Sequence, residues 1–446
     1  MKHPSNLWTT ISWTSLSLFL AACSAFDKNI TNKQLEQLKL HQIYINKDGM
    51  LLDPITKLVI KDEHTYVNRI LENLHQSEAH NLTIYIHGGL NTFENSTSRV
   101  RDINPAKVLA EEGKYLLFIS WHSGPLTNYA DHLFYLRRGR KATTLGPLSS
   151  PFVLMEDAFR SIARIPASTY NLVIGQNSII KKVRSKDALS AERALPLLQR
   201  DGFAIHNSPV DSGMSFSDWW SVVNPVKLFT APFVDGLGTG AWDSMLRRAD
   251  LVLRKDIVFD SPVDVDTSTA VTKFLNKYAV RHKSNSTTII AHSMGAVIAN
   301  NIISNYPRIG FDNIVYMAAA CRLKDIEYVV VPYIGKNTSA QFYNLSLHTY
   351  RDIAENTYYD FVPRGSLLLW IDDIFGNTNS FKDRTAGYWL NMVRGAEVTF
   401  GGLATKERIH LTQFALAGDV PLAHGDFSHF KFWKDEFWLG QAERLN

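Results

Sequence analysis

Ser293 lies between Ala291 and Gly295 in Thr287-Thr288-Ile289-Ile290-Ala291-His292-Ser293-Met294-Gly295. A β-branched run leads into it, and Met294 to Ile303 carries apolar residues densely enough for a buried helix, so the serine is expected where a strand turns sharply into a helix. Small residues two positions to either side relieve the crowding of such a turn. The following helix points free amides and a positive dipole end at the serine oxygen. That is the setting of a nucleophilic hydroxyl. A nucleophile of this kind needs a base and donors for a developing oxyanion. Glycines in His87-Gly88-Gly89-Leu90-Asn91 let a backbone turn its amides inward, and each such donor is worth about 3–4 kcal/mol of barrier. Gly89 is the first choice of donor, with Gly88 and Leu90 next, and the Met294 amide supplies the second bond. Base candidates are His424 and His429, in Pro421-Leu422-Ala423-His424-Gly425-Asp426-Phe427-Ser428-His429-Phe430. His424 adjoins Gly425, whose missing side chain would let the loop approach the serine. His429 lies among phenylalanines, where a histidine packs in partial burial.

The elements that must hold these residues are legible as alternating strands and helices. Leu82–Ile86 reads as a strand ending at His87, and Leu116–Trp121 as the next one. Thr267–Val280 is a helix with Val271, Phe274, Leu275 and Tyr278 on one face, just before the strand that leads to Ser293. Ile314–Ala318 and Phe342–Leu347 are further strands. His41–Ile45 and Leu58–Ile60 are expected as edge strands and Tyr66–His75 as a helix. This order fits an α/β fold with a mostly parallel, doubly wound sheet.

The A-x-S-x-G turn, the preceding H-G-G and the late H-G-x-F resemble motifs of the α/β-hydrolase superfamily, its lipases and esterases in particular. The likeness covers residues around 82–124 and 264–433. It implies a triad in the order serine, acid, histidine. On that likeness His424, in the H-G-x-F position, is the base rather than His429. The acid follows one of the later strands: Asp352 is favoured, with Glu355, Asp360 and Asp325 as alternatives. It further implies hydrolysis of carboxylic esters through an acyl-enzyme, with acyl transfer, amide hydrolysis or a non-catalytic binding scaffold as rivals. Residues 122–262 fall outside the likeness and read as a large, mainly helical insertion, either a lid or acyl-binding wall or a second layer of core. Trp219, Trp220, Phe229 and Phe233 stand in its apolar part. Gly236-Leu237-Gly238-Thr239-Gly240-Ala241 superficially matches a dinucleotide loop but follows no strand.

At the N-terminus a short apolar stretch ends in Leu20-Ala21-Ala22-Cys23, which resembles the lipobox of a bacterial lipoprotein. Residues 1–22 are then a signal peptide, Cys23 is lipidated, 23–37 is a tether and 38–446 the hydrolase domain. Ser24 after the cysteine favours the outer membrane over the inner. With Cys23 assigned to lipid, Cys321 has no disulfide partner. Lys and Arg number 47 and Asp and Glu 43, a net charge of +4 that calls for no nucleic acid. The chain carries no H-E-x-x-H, C-x-x-C or Walker loop, so no metal or organic cofactor is implied. The partners expected are an ester substrate, apolar rather than charged, and a membrane. Acyl length, head group and oligomeric state are not encoded in any motif.

Overall fold

A computed structural model describes residues 32–137, 140–142, 145–166, 189–207, 225–256, 266–281, 286–355, 362–376 and 378–445. One compact body runs from Leu38 to Asn446. Its strands are β1 (Gln42–Ile45), β2 (Leu51–Leu52), β3 (Asn81–Ile86), β4 (Lys114–Trp121), β5 (Leu136–Arg137), β6 (Arg140–Lys141), β7 (Ala204–His206), β8 (Ser286–His292), β9 (Phe311–Met317), β10 (Gln341–Ser346) and β11 (Ile409–Gln413). The helices used below are α1 (Glu63–Gln76), α2 (Pro125–Phe134), α3 (Leu145–Ala163), α4 (Pro225–Asp250), α5 (Ala270–Arg281), α6 (Gly295–Asn305) and α7 (Thr349–Ala354).

Nine strands form one sheet in the order β2-β1-β4-β3-β8-β9-β10-β11-β7, parallel except for the β1–β2 pair, and β5–β6 form a separate hairpin. The protein is therefore α/β with a mostly parallel sheet. Its central strands are buried on both faces, and so read as continuous apolar or β-branched runs rather than alternating ones. From β3 the chain moves outward to β4, whereas from β8 it moves the other way to β9, β10 and β11. Loops leaving the carboxyl ends of β3 and β8 thus diverge and leave a crevice at the switch point. His87 and Ser293 are the first residues beyond those two strand ends, where Ile86 pairs with Ala291.

Several expected elements differ. Leu58–Ile60 contributes only an isolated bridge of Val59 to Leu52, the edge strand being β2. Residues from Asn32 onward in the expected tether begin a helix that runs to His41. The insertion is not wholly outside the sheet, because β7 pairs with β11 at its far edge. β11 itself was not expected from the sequence. Trp219 and Trp220 lie outside the described residues. Gly236, Gly238 and Gly240 lie inside α4, where each permits close approach: an added Cβ would stand 1.9 Å from Ser161 Oγ, 2.8 Å from Phe375 and 2.5 Å from His132.

Candidate active site

Ser293 has φ +52°, the left-handed region that costs a residue with a Cβ roughly 1–2 kcal/mol. Its N–H donates to Met317 O (2.9 Å) and its C=O accepts from Ala320 N–H (3.0 Å), so the neighbouring strand holds the turn in place. Gly295 is required by space: a Cβ there would sit 2.4 Å from Ile86 O. Gly88 is likewise pressed against the serine, 2.8 Å from Ser293 Cβ to the position of an added Cβ.

The loop after β3 is braced by polar groups. His87 Nε2 accepts from Trp121 N–H (3.1 Å), which puts the ring proton on Nδ1, and Nδ1–H donates to Gly88 O (2.7 Å). Burial pushes this imidazole down to about 3, so it keeps that neutral form. Gly88 O also accepts from Asn91 Nδ2 (3.0 Å) and Ser123 Oγ (3.4 Å). In a trans peptide the next N–H points away from the carbonyl, so the Gly89 amide faces away from this cluster. The amides of Gly89 and Met294 have no acceptor among the described residues, and an added Gly89 Cβ would be 3.2 Å from Met294 Cγ. Leu90, in contrast, donates its N–H to Ser123 O (3.1 Å) and is unavailable as a donor. Met245 of α4 covers the loop, its Sδ 2.6 Å from the same Gly89 position.

His424 Nε2 lies 2.8 Å from Ser293 Oγ, with both side chains buried. Two side chains grip the backbone of this histidine: His292 Nε2–H donates to His424 O (2.8 Å), and His424 N–H donates to Glu355 Oε2 (2.9 Å). Asp426 Oδ2 accepts from the amides of Leu422 and Ala423, and Arg351 Nε donates to Leu416 O, fixing the loop that returns from β11. Gly425 is not the permissive element expected, since an added Cβ meets nothing within 4 Å and its φ is −80°. His429 is not half-buried packing either. The turn Asp426–His429 sends Phe427 and Phe430 inward and leaves the His429 side chain 63% exposed.

Burial pushes His424 down to about 4, and its Nδ1 has no hydrogen-bond partner. Asp352, in α7 directly after β10, is fully buried, and neither carboxyl oxygen has a partner. Burial drives its carboxyl far above the carboxylate range; Ser366 opposes this from outside ordinary hydrogen-bond geometry, while Glu355 and Asp372 add to it. Burial also raises Glu355, against the bond from His424 N–H. Asp325 is a helix cap, accepting from Arg322 N–H at the start of Leu323–Lys336, and is not a site group. Asp360 lies outside the described residues. Sequence reasoning thus brought together Ser293, His424, Gly89 and Met294 but missed the grip of His292 and Glu355 on His424. For His292 the available signal was its place beside Ser293. Cys321 is buried and unpaired, and no group of three or more metal-binding side chains occurs among the described residues.

Compared with models of known protein families, with curated proteins and with solved structures, the chain matches none of them.

Proposed function

We propose that the protein is a serine hydrolase of carboxylic esters with α/β-hydrolase architecture. The observation that carries this reading is the 2.8 Å contact of Ser293 Oγ with His424 Nε2 on a turn at φ +52°. A neutral imidazole with its proton on Nδ1 accepts the Ser293 hydroxyl proton as Oγ attacks an acyl carbon. The negative oxygen then receives bonds from the Gly89 and Met294 amides, the alcohol leaves with the proton from His424, and water releases the acyl group by the same steps. We assign the triad acid to Asp352 rather than Glu355. Glu355 Oε2 is engaged by the His424 backbone, whereas both Asp352 oxygens, near enough to Glu355 for its charge to act on them, are without a hydrogen-bond partner. Pairing of Asp352 with His424 Nδ1 would satisfy two orphaned groups at once.

The likeness of Leu20–Cys23 to a lipobox supports lipidation at Cys23, and Ser24 after it favours the outer membrane over the inner. A fluorophosphonate probe tests the central claim: it labels the wild-type chain and not Ser293→Ala at equal folded fraction. Equal labelling of the two, or none of the wild type, refutes the nucleophile.

A further inference from the structure

Helix α3 is inside out. Viewed at 100° per residue, Leu148, Phe152, Met155, Phe159 and Ile162 fall within an arc of roughly 80°. All five are exposed, Leu148 by 76%, Phe152 by 69%, Phe159 by 69% and Ile162 by 61%. The opposite arc is buried and polar or small. Asp157 accepts from Tyr129 O–H and bonds His132 Nε2 (3.1 Å each), Ser161 donates to Asp157 O, and Gly236 of α4 packs against Ser161. Arg137 Nε donates to Ser149 Oγ (2.7 Å) and anchors the first turns. A helix on a water-facing surface has the reverse arrangement. Leu154, and Ile165 just past the end of α3, are also exposed but lie outside this arc, and Phe233 and Leu237 of α4 are exposed as well.

We propose that α3 lies on a lipid bilayer, its apolar stripe sunk at the headgroup boundary. Charge on the exposed face does not oppose contact with lipid: Leu145 to Met155 carries none, and the acidic charge exposed on α3 is Glu156, already paired with Arg160 (3.4 Å). The stripe is a convex row of flexible and aromatic side chains, which a liquid can envelop without a matching pocket. Among the described residues no helix is long and apolar enough to cross a membrane, so α3 lies on the surface. Proximity rests on the lipobox reading. A lipid on Cys23, fifteen positions before the body that starts at Leu38, would keep that body at a bilayer.

The test uses the full chain reconstituted on vesicles of phosphatidylethanolamine and phosphatidylglycerol, with the polarity-sensitive fluorophore NBD on Phe159→Cys or, as control, on exposed Val280→Cys. The parent chain carrying the same label sets the background from Cys23 and buried Cys321. Vesicles are expected to shift the emission at 159 to the blue and leave 280 unchanged. A chain that co-floats with vesicles without a shift at 159, or that fails to co-float, overturns the proposal. Emission at 159 already blue without vesicles overturns it too, since another part of the chain or a second copy then covers the stripe. Cys23→Ser separates the two claims: loss of co-floating protein, with the 159 shift kept in the bound fraction, assigns the anchor to Cys23 and the contact to α3.

Discussion

Acidification is expected to expose His424 as a group that resists its proton in the folded chain. Its ordinary value is 6.5 and burial lowers it to about 4. The unfolded chain takes the proton below pH 6.5 and the folded chain only below about 4, so between these values unfolding takes up a proton and stability falls as the pH falls. A factor of ten in proton affinity is worth about 1.4 kcal/mol, so from pH 7 to 4.5 His424 alone withdraws on the order of 2 kcal/mol. His41, His87, His292 and His410 are also lowered by burial and contribute to the total loss. The difference between wild type and His424→Gln isolates one residue. Urea denaturation at pH 7, 5.5 and 4.5 should show the variant losing on the order of 2 kcal/mol less than wild type across the range. In the wild type the acid limb of kcat/KM for an ester should then fall near pH 4. Parallel stability curves refute the reasoning. A limb near pH 6–7 would instead mean that the pairing of Asp352 with Nδ1 proposed above is already made in the free enzyme and restores the proton affinity.

Two further outcomes follow from the same geometry. Ser293→Ala and Ser293→Gly both remove the hydroxyl, but only glycine releases the left-handed strain, so the glycine variant should be the more stable by about 1 kcal/mol in urea denaturation. Equal stability would show that the turn is relaxed. For the acid, Asp352→Asn should lower kcat by roughly 10³ to 10⁴ at matched folded fraction, whereas Glu355→Gln, which keeps an acceptor for His424 N–H, should change it little. The reverse pattern moves the acid to Glu355.

What the sequence alone determined is what depends on neighbours along the chain. Apolar and β-branched runs specify β3, β4 and β8, because central strands buried on both faces are largely apolar, and the shorter, mainly apolar stretches Ile314–Met317 and Phe342–Leu345 mark β9 and β10. The turn at Ser293 was legible for the same local reason, with Gly295 needed against Ile86 O. Tertiary structure decided what depends on residues far apart in number. β7 is three residues long and is a strand only because β11 lies beside it. Leu90 lost its role as donor to Ser123, more than thirty positions on, by a single hydrogen bond. His424 is placed by His292 and Glu355, 132 and 69 positions away, rather than by the freedom of Gly425. The buried arc of α3 is polar because Tyr129 and His132 meet Asp157 there, so apolar periodicity marks the exposed face of this helix and not its core face. Periodicity gives the pitch of an element; which side is covered is set by partners that only the folded chain supplies.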